Sequence, residues 1–224
     1  MCLTHLITSY SLTELREDIL LFVPQHLRQS LVRYTSIHSP LPNSRLFALY
    51  EAESHANGEI IVIGPNNSIR DDYFIQASAA STEGPSTSTS RSSPSPTPSI
   101  EDDWEAEDTS PALLRVVAIV STHLSTSTVL SIPPTITHLA LIHLPTPIPL
   151  HRLPFVCPLL VFLDLSFNTW LQDPPEETLK SWDRVYWGRW SQLKVLGLRG
   201  CDMSPDRLEK VNEGRWDDVR IVRE

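Results

Sequence analysis

Residues 160–168 read Leu160-Val-Phe-Leu163-Asp-Leu165-Ser-Phe-Asn168, and the spacing of the leucines decides the fold of the chain. Leu163 and Leu165 are two apart, so in a short strand both point to one face, while Phe162, Asp164 and Ser166 point to the other. The leucine face has to be covered. Asn168 follows one turn beyond the strand, where its amide can satisfy backbone groups that have no ladder partner. A unit this short cannot bury itself, so copies are expected on either side of it.

The copies are present. Leu193, Leu196, Leu198 and Cys201 repeat the spacing downstream, and Ile136, Leu139, Leu141 and Leu144 repeat it upstream; Leu114, Val117, Ile119 and Thr122 form a weaker version. Independently of leucine, Val185-Tyr-Trp-Gly-Arg-Trp recurs as Val211-Asn-Glu-Gly-Arg-Trp, 26 residues later, which places Val219 opposite Leu193. An alternative register sets Val219 and Ile221 against Leu196 and Leu198. Taking the first register, the units start at 114, 136, 160, 193 and 219. On these motifs, residues 111–224 resemble the leucine-rich repeat superfamily, whose units of about 20–29 residues stack side by side.

The resemblance implies an α/β fold, a short curved solenoid of parallel strands with Leu139, Leu141, Leu160, Leu163, Leu165, Leu193, Leu196 and Leu198 inside and Asn168 and Cys201 under the bends. It also implies that the concave sheet face binds protein. The outward residues run from Val116, Ala118 and Val120, through His138, Ala140 and Ile142, to Phe162, Asp164 and Ser166, and then Val195, Gly197 and Arg199. Of these, His138, Ile142, Phe162, Asp164, Ser166, Val195 and Arg199 are the candidate contacts, Phe162 and Arg199 being of types that anchor interfaces.

Composition narrows the function. The net charge is −9 and no cluster of Lys and Arg is present, which argues against a nucleic-acid surface. No apolar run approaches the ~18 residues of a membrane span. Cys2, Cys157 and Cys201 are odd in number and far apart, and no basic-then-apolar leader opens the sequence, so an intracellular compartment, cytoplasmic or nuclear, is expected. Asn66-Asn67-Ser68 is then a chance glycosylation sequon. There is no Gly-rich phosphate loop, Gly-x-Ser-x-Gly elbow or Cys-x-x-Cys pair, so neither an enzyme nor a cofactor is expected. His138, His143 and His151 are irregularly spaced with no Cys or carboxylate joining them, which reads as surface histidines and no metal site. Cys157 and Cys201 read as core thiols.

Residues 1–76 read as a helical hairpin followed by strands. Ser11-Leu-Thr-Glu14 has capping-box spacing, with Leu15, Ile19, Phe22 and Val23 on the inner face of the first helix. Pro24 ends it, and a second helix carries Leu27, Leu31 and Tyr34 inward until Ser39-Pro40. The series Leu12-Thr13-Glu14-Leu15, Ile19-Leu20, Val23-Pro24, Leu27 and Leu31-Val32 resembles an F-box. It departs from that family at Thr13, where Pro is usual, and lacks the later Cys and Trp. The resemblance implies docking on the Skp adaptor of a cullin ubiquitin ligase. Leu46–Tyr50 and Ile60–Ile63 read as two strands around Asn57-Gly58, paired together as a cap on the repeats.

Residues 77–110 are rich in Ser, Thr and Pro and read as a disordered linker that joins neither core. Ser93, Ser95 and Thr97 each precede proline and are candidate phosphorylation sites. The acidic run Glu101–Asp108 contains Trp104, a candidate docking residue. Further on, Asp173-Pro174-Pro175-Glu176 and Ser204-Pro205 read as helix starts, with Asp173 and Ser204 as caps. Trp182, Val185, Leu208 and Val211 are expected to face the core, and Trp187 and Trp190 to serve packing. Prolines 133, 134, 145, 147, 149 and 154 predict irregular backs for the first units. The expected function is non-enzymatic protein–protein interaction, the alternative an F-box-like substrate adaptor.

Overall fold

The computed structural model describes residues 9–50, 55–65, 67, 69–70, 73–75 and 112–224. Six short strands form one sheet: β1 (Glu59–Ile63), β2 (Val116–Val120), β3 (His138–Ile142), β4 (Phe162–Asp164), β5 (Val195–Gly197) and β6 (Arg220–Val222). They lie side by side in sequence order, and every pairing is parallel. The register sets Ile60, Val117, Leu139, Leu163 and Leu196 in one file, all fully buried. Val62, Ile119 and Leu141 form a second buried file two residues on, and Leu165 and Leu198 are buried with them. Burying each such leucine or isoleucine is worth roughly 1.5–3 kcal/mol, so these files dominate the stability of the sheet.

At β6 the register corrects both alignments made from the sequence. Ile221 pairs with Leu196 and Arg220 with Val195, neither of the expected pairings for Val219. The two copies share a buried valine, Val185 and Val211, but diverge before their Gly-Arg-Trp: Trp187–Arg189 is a 3-10 turn with Arg189 on the Pro154 carbonyl, whereas Gly214 has left-handed backbone and the Arg215 guanidinium donates to the carbonyls of Trp187, Trp190 and Leu193. Trp190 is buried and donates its indole N–H to the Cys157 carbonyl at 2.7 Å, whereas Trp216, its counterpart, is 99 % exposed. Without a buried Trp to span, the chain reaches its strand one residue sooner.

The connections follow the expected pattern in part. Between β2 and β3 lies only the helix Thr126–Leu130, and between β3 and β4 only the turn Leu150–Arg152 and the helix Leu153–Val156. Longer helices, Glu176–Asp183 and Pro205–Asn212, back the later units and bury Trp182, Leu208 and Val211. Ser204 is the N-cap residue of the second, but Asp173 is not the N-cap of the first: it is the C-cap of the helix Thr169–Gln172, and Pro175 holds the N-cap position before Glu176. Trp187 packs between Trp182 and Trp190, with ring centroids 4.9 and 5.7 Å away.

In the N-terminal region both halves of the capping box form, Ser11 Oγ accepting from the Glu14 N–H and Glu14 Oε2 from the Ser11 N–H. The Glu14 carboxyl is held below its usual range by these bonds to Ser11, backbone first. The helix then changes pitch, from α over Leu12–Glu14 to π over Leu15–Ile19 and 3-10 over Leu20–Phe22. A π turn spaces buried positions five apart, so Leu15 and Leu20 face the core and Phe22, expected inside, is 83 % exposed. The helix Gln25–His38 begins after Pro24 as expected, but it buries Leu31, Val32 and Thr35 and turns Tyr34 outward.

Leu46–Tyr50 is not a strand. It belongs to the helix Asn43–Tyr50, which buries Leu46, Ala48, Leu49 and Tyr50; a five-residue apolar run fits either element. The expected hairpin is therefore absent, and β1 is instead the first strand of the main sheet. Its outer edge is covered by Tyr50, whose hydroxyl accepts from the Ile61 N–H and donates to the Ile61 carbonyl, each at 2.9 Å. Burial raises the pKa of this phenol, which keeps it protonated as a donor. An edge strand left open is a site for stray pairing, and the helices close this one.

Residues 77–110, read from sequence as disordered, lie outside the described residues, as do Ser93, Ser95, Thr97, Trp104, Cys2 and the sequon residues Asn66 and Ser68. The flanking strands β1 and β2 are nonetheless paired over their full length. Limited proteolysis is accordingly expected to cut first between Ala80 and Asp108 and to leave two fragments that elute together under native conditions. Separation of the fragments without denaturant would contradict the β1–β2 pairing.

Candidate functional site

Opposite the leucine files, the sheet presents a second face built by the alternation of each strand. The register aligns Glu59, Val116, His138, Phe162, Val195 and Arg220 across it. A second row runs Ile61, Ala118, Ala140, Asp164, Gly197 and Val222. A third begins with Ile63, Val120 and Ile142. Val116, Val120, Ile142, Phe162 and Val195 are half-buried, and His138 and Arg199 are exposed. The face is apolar toward β1 and polar toward β6.

Three of the expected contacts are engaged within the protein. Ser166 is buried: its hydroxyl accepts from the Arg199 N–H at 3.0 Å, and its carbonyl accepts from the His143 N–H. The strand has ended by then, so the outward alternation that placed Ser166 on the open face no longer applies. Asp164 accepts from the Ser166 N–H at 2.9 Å, and its carboxylate occupies the space over Gly197 that any side chain there would need. Gly197 is required for that close approach. Arg199 donates through Nε to the Glu224 carbonyl at 3.0 Å and remains exposed.

Of the remaining expected contacts, Ile142 stands beside Val120 in the third row, and the other three lie together. His138 and Phe162 stack with ring centroids 6.1 Å apart and planes 25° from parallel, and Val195 is next to Phe162 in the same row. Glu59, Ile61 and Ile63 join this face without a signal in the repeat spacing, because β1 pairs with β2 from the far side of residues 77–110. Glu59 closes the apolar end of the face. Its carboxylate takes hydrogen bonds from Gln29 and Arg33 at 2.8 Å each, and the Arg33 guanidinium is held more strongly protonated by that bond.

Beneath the bends, Asn168 does what its position predicted. It is fully buried; its Oδ1 accepts from the Leu144 N–H at 2.7 Å, and its amide donates to the carbonyls of Leu141 at 2.8 Å and Leu165 at 2.7 Å. Cys201, one unit on, sends its thiol toward the Leu165 carbonyl at 3.4 Å. Burial pushes the Cys157 thiol up to about 12 and raises that of Cys201, so both are packing groups and not nucleophiles at neutral pH. Ser121, His143, Phe167 and Gly200 occupy one position in four successive bends, and all four have left-handed backbone.

No family model, curated protein or solved structure matches the chain. Among the described residues, no group of three or more His, Cys, Asp or Glu is placed to hold a metal ion, and no helix is long and apolar enough to cross a membrane. The three histidines have separate environments: His138 on Phe162, His143 Nδ1 at 2.8 Å from Ser121 Oγ, and His151 Nδ1 at 3.0 Å from Ser181 Oγ. Burial, then Arg152 and Arg184, lowers the pKa of His151.

Proposed function

We propose that the chain is a non-enzymatic binding protein of leucine-rich repeat type, which holds a protein partner on the open face of its parallel sheet. The observation that carries this reading is the half-exposed apolar strip of Val116, Val120, Ile142, Phe162 and Val195, drawn from four consecutive strands and facing away from the buried leucines. Such a strip loses water on contact with a complementary surface, and the stacked His138–Phe162 pair at its centre supplies a stiff aromatic anchor.

The test is affinity capture with the full chain, identification of the captured protein, and titration of that protein against variants. Phe162→Ala is expected to weaken binding by more than about 1 kcal/mol with little change in melting temperature. Glu177→Ala, in the exposed first turn of a backing helix, should change neither. Unchanged recovery of every partner by Phe162→Ala together with Arg199→Ala would remove the open face as the binding surface.

The adaptor reading is favoured by one observation: Leu21 and Phe22, in the turn joining the first two helices, are 74 % and 83 % exposed. These residues, and not the fully buried Leu15, are where an adaptor would dock. Loss of Skp from the captured proteins with Leu21→Ala and Phe22→Ala, while other partners persist, would support it.

A further inference from the structure

The two edges of the sheet are finished differently. At β1 the outward N–H and carbonyl of Ile61 are taken by the Tyr50 hydroxyl. At β6 the outward groups of Val219 are taken by the Asn212 side chain, which accepts from its N–H at 2.8 Å and donates to its carbonyl at 3.4 Å. The next outward groups, on Ile221 and Arg223, have no hydrogen-bond partner among the described residues. The Ile221 side chain itself is only half-buried. A row of free ladder groups on a strand edge is a template for another strand.

From this edge we infer that a second copy of the chain pairs with it, β6 to β6 in antiparallel sense about a two-fold axis at Val222. A two-fold axis perpendicular to the sheet keeps each open face on the same side, so only even registers are allowed, and the charges choose among them. Centring on Arg220 opposes Arg220 to its own copy. Centring on Ile221 sets Asp218 against the other copy's Glu224 and demands the backbone groups of Val219 that Asn212 already holds. Centring on Val222 uses only the free groups, Ile221 exchanging both hydrogen bonds with Arg223 of the other copy. It also sets Arg220 opposite Glu224 twice, on either side of a Val222 pair, at the close non-hydrogen-bonded spacing where opposite charges attract most. The Arg223 stem then lies against the exposed part of Ile221. Each copy has its β1 edge capped by Tyr50, so pairing β6 to β6 leaves no edge over and the arrangement closes at two copies.

The experiment is sedimentation velocity of the full chain over a range of concentrations, with Arg220→Glu, Glu224→Arg and the double exchange; all three changes are at exposed side chains. The parent is expected to show a reversible monomer–dimer equilibrium. Each single reversal opposes like charges twice and should weaken the dimer by about tenfold, and the double exchange should restore it to within about threefold of the parent. A parent that stays monomeric, a dimer that is indifferent to Arg220→Glu, or a double exchange that fails to restore association would each overturn the proposal. None of these outcomes bears on whether the open face binds another protein.

Discussion

Leu165→Asp is expected to leave almost no folded protein. Leu165 is fully buried between the Leu141 and Leu198 positions of the neighbouring units, beyond the reach of water. A carboxylate there would be unpaired and would also remove the packing of a whole leucine, a cost of several kcal/mol against a total stability of roughly 5–15 kcal/mol for a domain. Soluble yield and the circular-dichroism melting curve are the readouts, with Glu177→Ala as a surface control. A variant that melts within a degree or two of the parent would mean that Leu165 does not face the core.

The second large effect belongs to Asn168. Alanine there leaves the Leu144 N–H and the Leu141 carbonyl without partners in a fully buried place, and the Leu165 carbonyl with only the Cys201 thiol, which costs about 2 kcal/mol or more at ~1–3 kcal/mol for each orphaned group. Asn168→Asp is isosteric, yet its ionised carboxylate would face two carbonyl oxygens, so the acid form is favoured and its folded pKa rises above the unfolded value of about 3.9. For a raised pKa, the stability tied to the protonated form is complete below the unfolded pKa and is lost as the pH climbs through the folded one. Relative to the parent, the variant should therefore weaken between about pH 4 and neutrality, while Asn168→Ala shows a constant deficit. Urea unfolding at pH 5 and pH 7.5 separates the two. A constant deficit for Asn168→Asp would mean that the new carboxyl finds water.

The strands β2 to β5 and the role of Asn168 were legible because both depend on local spacing: two-residue alternation picks the face, and a polar amide after an apolar run has to find the backbone. Legibility failed where packing outvoted pattern. Leu46–Tyr50 has no polar residue to reveal a period, and its helix is set by burial of Leu46, Leu49 and Tyr50 against the rest of the core. In the first helix Leu15 is buried and Ile19 and Val23 pack against the core as the spacing of its turns suggests, but the π turn between Leu15 and Leu20 brings Leu20 inward and leaves Phe22 outside. On the open face, Phe162, Val195, Ile142 and His138 sit where alternation put them. Ser166 does not, since alternation ends with the strand and a hydroxyl beside a free N–H is drawn inward. Tyr50, which seals the first edge, carries no sequence signal at all, because its task depends on a strand that pairs with a segment beyond the Ser/Thr/Pro-rich stretch.

The bends hold a last consequence, and it concerns handedness. Ser121, His143 and Phe167 are L-residues held at φ of 53°, 51° and 60°, while only Gly200, at 66°, takes that conformation freely. Each of the three costs about 1 kcal/mol relative to ordinary backbone. Glycine would relieve the strain but widen the unfolded ensemble, returning much of the gain. A mirror-image residue does not have that drawback: a D-serine at position 121 prefers the conformation an L-serine resists and keeps a hydroxyl. Chemical synthesis with inverted residues at the bends is therefore a more direct route to a stiffer protein than further repacking of leucines that are already fully buried.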